Sequence, residues 1–182
     1  MEFARFQPSL KDLLPFLQIS RDHDASDYVI AYWSRLYATE VMLNNTTKSP
    51  EAMQLLMILM YEMEEIKNAH GTKETIAVRT AAKAYMENHV LNLFANADKQ
   101  DREGKFNTNI VKTFTNCGVL YDVLQTFGDL TDEMVHNRKY SKWKAAHIDN
   151  CLKNGKTPVP GPKKFEEEMR AEAIAARYET AM

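Results

Sequence analysis

SPEAMQLLMILMYEMEEIKNAHG, residues 49–71, holds one complete helix between a start signal and a stop signal. Ser49 offers a side-chain oxygen to the first free amides, Pro50 brings a backbone angle already suited to the first helical position, and Glu51 sets a negative charge at the positive end of the dipole. Gly71 is the stop. Between them the apolar residues recur at three and four, the helical period. They are too many for one face. Leu55, Leu59 and Ile66 define one stripe, Met53, Met57 and Met60 a second, and Leu56 and Met63 bridge the two. The combined arc is about 200°, roughly double the stripe an ordinary surface helix buries. Two readings are open: this helix is the most central of its bundle, or part of the arc is an exposed groove for a partner helix. The flexible thioethers suit the groove, since they adapt to varied partners.

The same punctuation extends in both directions. Only six glycines and six prolines occur, and no run of alternating β-branched residues reads as a strand. Upstream, Pro8-Ser9 starts a first helix over about 9–24, with Leu10, Leu13, Leu14 and Leu17 inward and Pro15 expected to bend it or cut into its first turns. Ser26 or Asp27 caps a second helix reaching Leu43, and NNTTK breaks the chain. Downstream, Thr72 opens a long fourth helix to Arg102, stopped by Gly104. Asn107 or Thr108 opens a fifth, ended by Gly128. Thr131-Asp132-Glu133 opens a sixth, ended by Gly155. TPVPGP (157–162) is a stiff extended linker that no helix crosses. A polar final helix comes after it, with a thin stripe of Phe165, Met169, Ala173 and Ala176. Short loops imply antiparallel neighbours. The expected fold is all-α, two tandem three-helix bundles over residues 1–71 and 72–156, then a Pro-rich turn and final helix over 157–182.

Composition removes several functions. The chain has 182 residues, 45% of them hydrophobic, enough for a real core. Lys+Arg number 23 against 25 Asp+Glu, a net charge of −2, so no basic excess exists to neutralise a run of phosphates. Nucleic acid is not expected as a partner. The longest apolar run, Leu55 to Tyr61, is far short of the roughly 20 residues of a membrane span, and MEFARFQPSL carries no apolar signal region. Glu166, Glu167 and Glu168 in the final helix argue against direct membrane insertion. Cys117 and Cys151 form no disulfide framework. A soluble, cytoplasmic chain is the expectation.

Catalytic patterns are incomplete. Glu133 and His136 sit three apart on one helical face, but a di-iron bundle needs a second such pair and two further glutamates, and Glu87 is only two before His89. A helical metalloprotein enzyme built on Glu133 and His136 is therefore a minor alternative. ADKQDREGKF (97–106) fails as a calcium loop: Gln100 and Arg102 stand where ligands belong, and Glu103 where glycine is required. Cys117, between Phe114 and Tyr121, reads as a packing cysteine. No enzyme and no cofactor is expected.

The sixth helix has an anomaly of its own. Met134, Ala145, Ile148 and Leu152 make an aliphatic core stripe, while His136, Tyr140, Trp143 and His147 fall on the opposite side, edged by Arg138, Lys139, Lys142 and Lys144. An aromatic centre with a basic rim suits an acidic amphipathic helix. Equally, a neighbouring helix or the final helix could cover Trp143. A helical repeat without a peptide groove predicts that Met60 and Trp143 are fully buried.

FGDLTDEMVHNRKYSKWKAAHIDNCLKNGKTPVPGP (127–162) closely resembles the signature stretch of the Vta family, and AYWSRLYATE (31–40) and ANADKQDREGKF (95–106) look like its other characteristic segments. The similarity runs from about Ser9 to Pro162. It implies an N-terminal domain of two tandem MIT modules that bind helical C-terminal tails of ESCRT-III subunits, the charged multivesicular body proteins. The family regulates the Vps-four-type AAA ATPase that disassembles ESCRT-III polymers, which implies a place in the multivesicular body pathway, peripheral to endosomal membranes. In the family a methionine and a leucine late in the third helix line the first groove; the matching positions are Met60 and Met63, beside the Met53 and Met57 of the same stripe. The tryptophan of the RKYxxWKA segment, here Trp143, serves the second module, which takes the tail of the charged multivesicular body protein of the fifth type. Lys139, Tyr140, Lys144 and His147 extend that site by helical spacing. The family's acidic linker and C-terminal ATPase-binding domain are expected to lie outside this chain.

Overall fold

The computed structural model describes residues 9–44 and 49–181. Over these residues the chain is helical without a strand: α1 (Leu10–His23), α2 (Tyr28–Leu43), α3 (Pro50–His70), α4 (Glu74–Ala77), α5 (Arg79–Arg102), α6 (Thr108–Val123), a 3-10 turn (Leu124–Phe127), α7 (Asp132–Lys153) and α8 (Lys163–Thr180). The expected helix starts are built from local hydrogen bonds. The Ser9 amide donates to Asp12, Asp27 accepts from the amides of Val29 and Ile30, and the Ser49 hydroxyl accepts from the Ala52 amide. Asn107 and Thr131 cap α6 and α7 in the same way. Pro8 and most of NNTTK lie outside the described residues.

The chain divides into two compact units, the first reaching Asn88 and taking in Asp122–Asp129, the second made of His89–Tyr121 and Leu130 onward. Gly71 therefore ends α3 without ending the first unit. The reason lies in the segment from Thr75 to Arg79. The Trp33 indole donates to the Thr75 carbonyl at 2.8 Å, Ile76 is buried, and the Arg79 guanidinium donates to the Thr126 carbonyl and pairs with Glu40. These ties hold the chain after Gly71 against α2. They also break the long fourth helix expected from Thr72: Val78 is extended, at φ −119° and ψ 114°, and separates α4 from α5.

In the first unit α2 is the central helix, with Val29, Ile30, Ala31, Tyr32, Trp33, Ala38 and Met42 all buried. On α3 only Leu56, Leu59 and Met63 are buried. Each such side chain contributes about 1.5–3 kcal/mol on burial, enough to hold α3 by one narrow stripe. Arg35 of α2 is buried and binds Asp24 through both its terminal nitrogens, at 2.6 and 2.8 Å, and Glu62 of α3 through Nε at 2.8 Å. Helix α1 runs unbroken through Pro15 and buries Leu13 and Leu17. Leu10 and Leu14, expected inward, are exposed. With Pro15, Lys11, Arg21 and Leu55 they line a groove of ≈ 620 Å³ between α1 and α3.

The second unit packs Ala97, Ile110, Phe114, Tyr140, Ala145, Ile148 and Phe165 into one core, with Phe94, Phe106, Trp143 and Met169 against it. Its aromatic rings meet edge to face, Phe114 on Tyr140 at 5.9 Å and Tyr140 on Phe165 at 5.3 Å. Gly118 lets α6 approach α7: a Cβ there would lie 2.8 Å from Lys142 Cγ. Cys117 is buried, which pushes its thiol up to about 12 and leaves it a packing residue instead of a nucleophile.

Candidate protein-binding surfaces

The methionine stripe of α3 emerges on the outside of the first unit. Met53 is 44% exposed, Met57 70% and Met60 54%, and Ile58 and Tyr61 beside them are exposed too. Helix α3 is thus not the central helix, and the reading that buried Met60 completely does not hold. Met63 behaves differently. It is buried with Leu56 and Leu59, because three residues from Met60 the helix has turned its side chain under α3 toward the core. Met53, Met57 and Met60 form the surface; Met63 supports it from beneath.

On α7 the expected aromatic face with a basic rim is taken apart. Tyr140 and Lys144 are buried, Trp143 and His147 are half-buried, and Lys139 is exposed. Lys144 and Asp101 are both 0% exposed and pair at 2.8 Å. The same ammonium donates to the carbonyls of Val159 at 2.6 Å and Gly161 at 2.9 Å, so each of its three protons has an acceptor. Asp101 in turn accepts from the Tyr140 hydroxyl and from the Gly161 amide. Burial, then the Asp101 carboxylate, raises the Tyr140 pKa. Gly161 sits at φ +71°, a backbone only glycine adopts cheaply, which lets the Pro-rich turn offer both its amide and its carbonyl to this network. Tyr140 and Lys144 are therefore corrected from partner-facing residues to the clamp that holds the turn.

Trp143 stands at the edge of that clamp. His147 stacks on its ring at 4.8 Å and 12°. Phe165 of α8 tilts against it at 5.6 Å, and its indole N–H donates to Glu168 at 2.7 Å. The final helix thus covers part of Trp143. His147 accepts from the Val159 amide through Nε2 at 3.1 Å; burial first, then Lys164 and Lys144, lower its pKa below the usual value. On the core side of α7, Ala145 and Ile148 are buried as expected, while Leu152 is exposed and Cys151 takes the inward place.

Glu133 and His136 are both exposed, and the His136 ring lies edge-on to Phe165 at 5.7 Å. Among the described residues no group of three or more potential metal ligands assembles, and no helix is long and apolar enough to cross a membrane. Two features escaped the spacing arguments. Asp101, inside the segment that fails as a calcium loop, is the buried acid of the clamp, and helical spacing gave no signal for it, because Lys144 looks like the other basic residues on that side of α7. The α1–α3 groove left none either: Leu10, Leu13, Leu14 and Leu17 fit one helical stripe, and spacing alone does not show that Leu10 and Leu14 stay exposed.

The family described as Vta1 like matches residues 12–154. The chain is 42% identical over 161 residues to a vacuolar protein sorting-associated protein VTA1 homologue of Bos taurus, covering 88% of this chain and 52% of that protein. With the Homo sapiens homologue it shares 42% over 158 residues, covering 87% and 52%. An Arabidopsis thaliana homologue of mammalian LYST-interacting protein 5 is 30% identical over 151 residues, covering 82% and 34%. The chain spans about half the length of the VTA1 homologues it matches. Among solved structures, the NMR structure of a Vta1–Vps60 complex aligns with a TM-score of 0.70 at 19% identity, over 78% of this chain and 98% of that one. The crystal structure of the S. cerevisiae Vta1 N-terminal domain aligns at 0.69 and 21% identity, over 80% and 97%. Both share its fold.

Proposed function

The chain belongs to the Vta1-like family, and from that premise we propose that it is a non-enzymatic adaptor of the ESCRT multivesicular body pathway, binding helical C-terminal tails of ESCRT-III subunits. The observation that carries this reading is the exposed methionine face of α3. Large apolar side chains left in water beside a packed stripe cost free energy unless a partner covers them, and flexible thioethers fit the apolar face of a helix. Met53, Met57 and Met60 are the contact residues of the first surface, with Met63 fixing the helix beneath them. The second surface is centred on Trp143, with His147 and Lys139 beside it; Tyr140 and Lys144 act by holding its shape. A structural relative solved as a complex with Vps60 supports an ESCRT-III subunit as the partner class. Each surface is small, so affinities of roughly micromolar Kd are expected, raised by avidity when two tails engage. Regulation of the Vps-four-type AAA ATPase belongs, on this reading, to a domain beyond the residues of this chain, and the protein works at the cytoplasmic face of endosomal membranes.

Titration with fluorescent C-terminal tails of the ESCRT-III subunits tests this, on wild type, Met60→Asp and Trp143→Asp, with circular dichroism to confirm folding. Folded variants that each lose a different tail support two surfaces. Wild type that binds no tail overturns the function and leaves only the fold.

A further inference from the structure

Helix α8 shows what the Trp143 surface accepts. Phe165 is 3% exposed and enters the second unit's core between Tyr140, His136 and Trp143. One turn later Glu168 takes the indole N–H, and Met169 packs half-buried against the same cluster. There the attachment stops. Every described residue from Arg170 onward is exposed, including Ile174 and Tyr178. A helix of 18 residues is thus held by its first two turns, through an aromatic side chain, a carboxylate three residues on and an apolar residue at the fourth. The turn that precedes it is held separately: Lys144 and Asp101 grip Val159 and Gly161, not α8 itself. None of the clamp's hydrogen bonds involves α8, so departure of α8 would break none of them while uncovering Trp143 and the Tyr140 ring against which Phe165 packs.

We infer that α8 is a displaceable internal ligand of the Trp143 surface. This rests on the reading of that surface as a tail-binding site, and adds its regulation and its ligand chemistry. An incoming helix competes with α8, and carries the same pattern: a large apolar or aromatic residue, a carboxylate three residues later and an apolar residue at the fourth. The measured affinity of the free protein is the intrinsic affinity reduced by the fraction of molecules in which α8 has left. A helix docked in nine of ten molecules or more weakens binding at least about tenfold.

The test uses the whole chain carrying Phe165→Ala or Glu168→Lys. The second changes an exposed side chain, so it reports even where loss of Phe165 unfolds the unit. Two probes are titrated by fluorescence anisotropy: the ESCRT-III tails, and a synthetic peptide of residues 163–180. The Trp143 indole N–H resonance is followed in parallel. The expected result is a tail bound at least about tenfold more tightly by Glu168→Lys than by wild type. The peptide binds the variants and not wild type, and loses binding when its own phenylalanine is replaced by alanine. In the variants the indole resonance shifts toward its position in tail-saturated wild type. Tail affinity that is unchanged or weakened in Glu168→Lys overturns the inference, while the adaptor reading survives as long as wild type binds a tail. If no tail binds any protein but the peptide binds the variants, the internal ligand stands and the ESCRT-III assignment falls.

Discussion

Replacing Lys144 by methionine keeps the length and apolar stem of the side chain and removes its charge. In the fold that charge is 0% exposed and 2.8 Å from an equally buried Asp101. Without the ammonium, the carboxylate keeps the Tyr140 hydroxyl and the Gly161 amide but loses its counter-ion, and the carbonyls of Val159 and Gly161 lose their donor. Breaking a fully buried pair from one side costs about 3–5 kcal/mol, since an uncompensated charge is left out of water. That is a large share of the 5–15 kcal/mol typical of a domain. With a urea slope of about 2 kcal/mol/M, the unfolding midpoint of the second unit should fall by about 2 M. Circular dichroism and Trp143 fluorescence read the transition together. Asp101→Leu combined with Lys144→Met leaves no buried charge and should cost clearly less than the two single changes added. A midpoint that moves by less than about 0.3 M in Lys144→Met, equivalent to well under 1 kcal/mol, would refute the clamp. So would a double variant as unstable as the sum.

Met60→Asp should leave the first unit folded, within about 1 kcal/mol of wild type, whereas Met63→Asp should unfold it, because only the second carboxylate is forced into the core. Thermal melts of the two variants decide this, and equal melting temperatures would count against the surface assignment. Arg35→Met should cost about 1–3 kcal/mol, less than Lys144→Met, because the Asp24 and Glu62 side chains it abandons are 47% and 35% exposed and can be rehydrated. Urea melts of the two variants side by side give the order, and the reverse order would be wrong for this structure. His147 has a lowered pKa in the fold, so its contribution is fully present above its unfolded value of about 6.5 and is lost as pH falls from there through the folded pKa. Stability of wild type should therefore drop between pH 7.5 and 5.5 more than that of His147→Gln; parallel curves would remove the burial of His147 beside Lys164 and Lys144 as a source of pH dependence.

What the sequence disclosed depended on range. The starts at Asp27, Ser49, Asn107 and Thr131 are legible because a cap is a hydrogen bond closed within three residues. The break at Val78 is not, because nothing near it forbids a helix. The chain is extended there while Trp33 holds the Thr75 carbonyl and Arg79 reaches Thr126, partners that a local window never contains. The methionine stripe of α3 has the opposite fortune. Its arc is too wide to bury, and only the comparison with α2, which buries ten of its 16 residues where α3 buries three of 21, decides which of the two helices is central.

Lys144 shows why a helical wheel sorts residues by direction and not by depth. The wheel gives its direction correctly, on the same side of α7 as Tyr140, Trp143 and His147. It does not tell whether that side is a surface. A lysine ammonium has three protons, and the second unit meets all three on that side: a carboxylate at the end of α5 and two carbonyls of the Pro-rich turn. Once those acceptors are present the face is an interior, and the tryptophan beside them is left with one open flank. That flank is where α8 lies. A sequence that places four basic residues around an aromatic centre therefore describes two different things: a buried cation that shapes the surface, and exposed ones such as Lys139 that edge it. Distinguishing them requires knowing where the acids are. Asp101 stands in a segment that fails as a calcium loop, and that failure is consistent with what it is, an acid whose partner is a lysine of another helix.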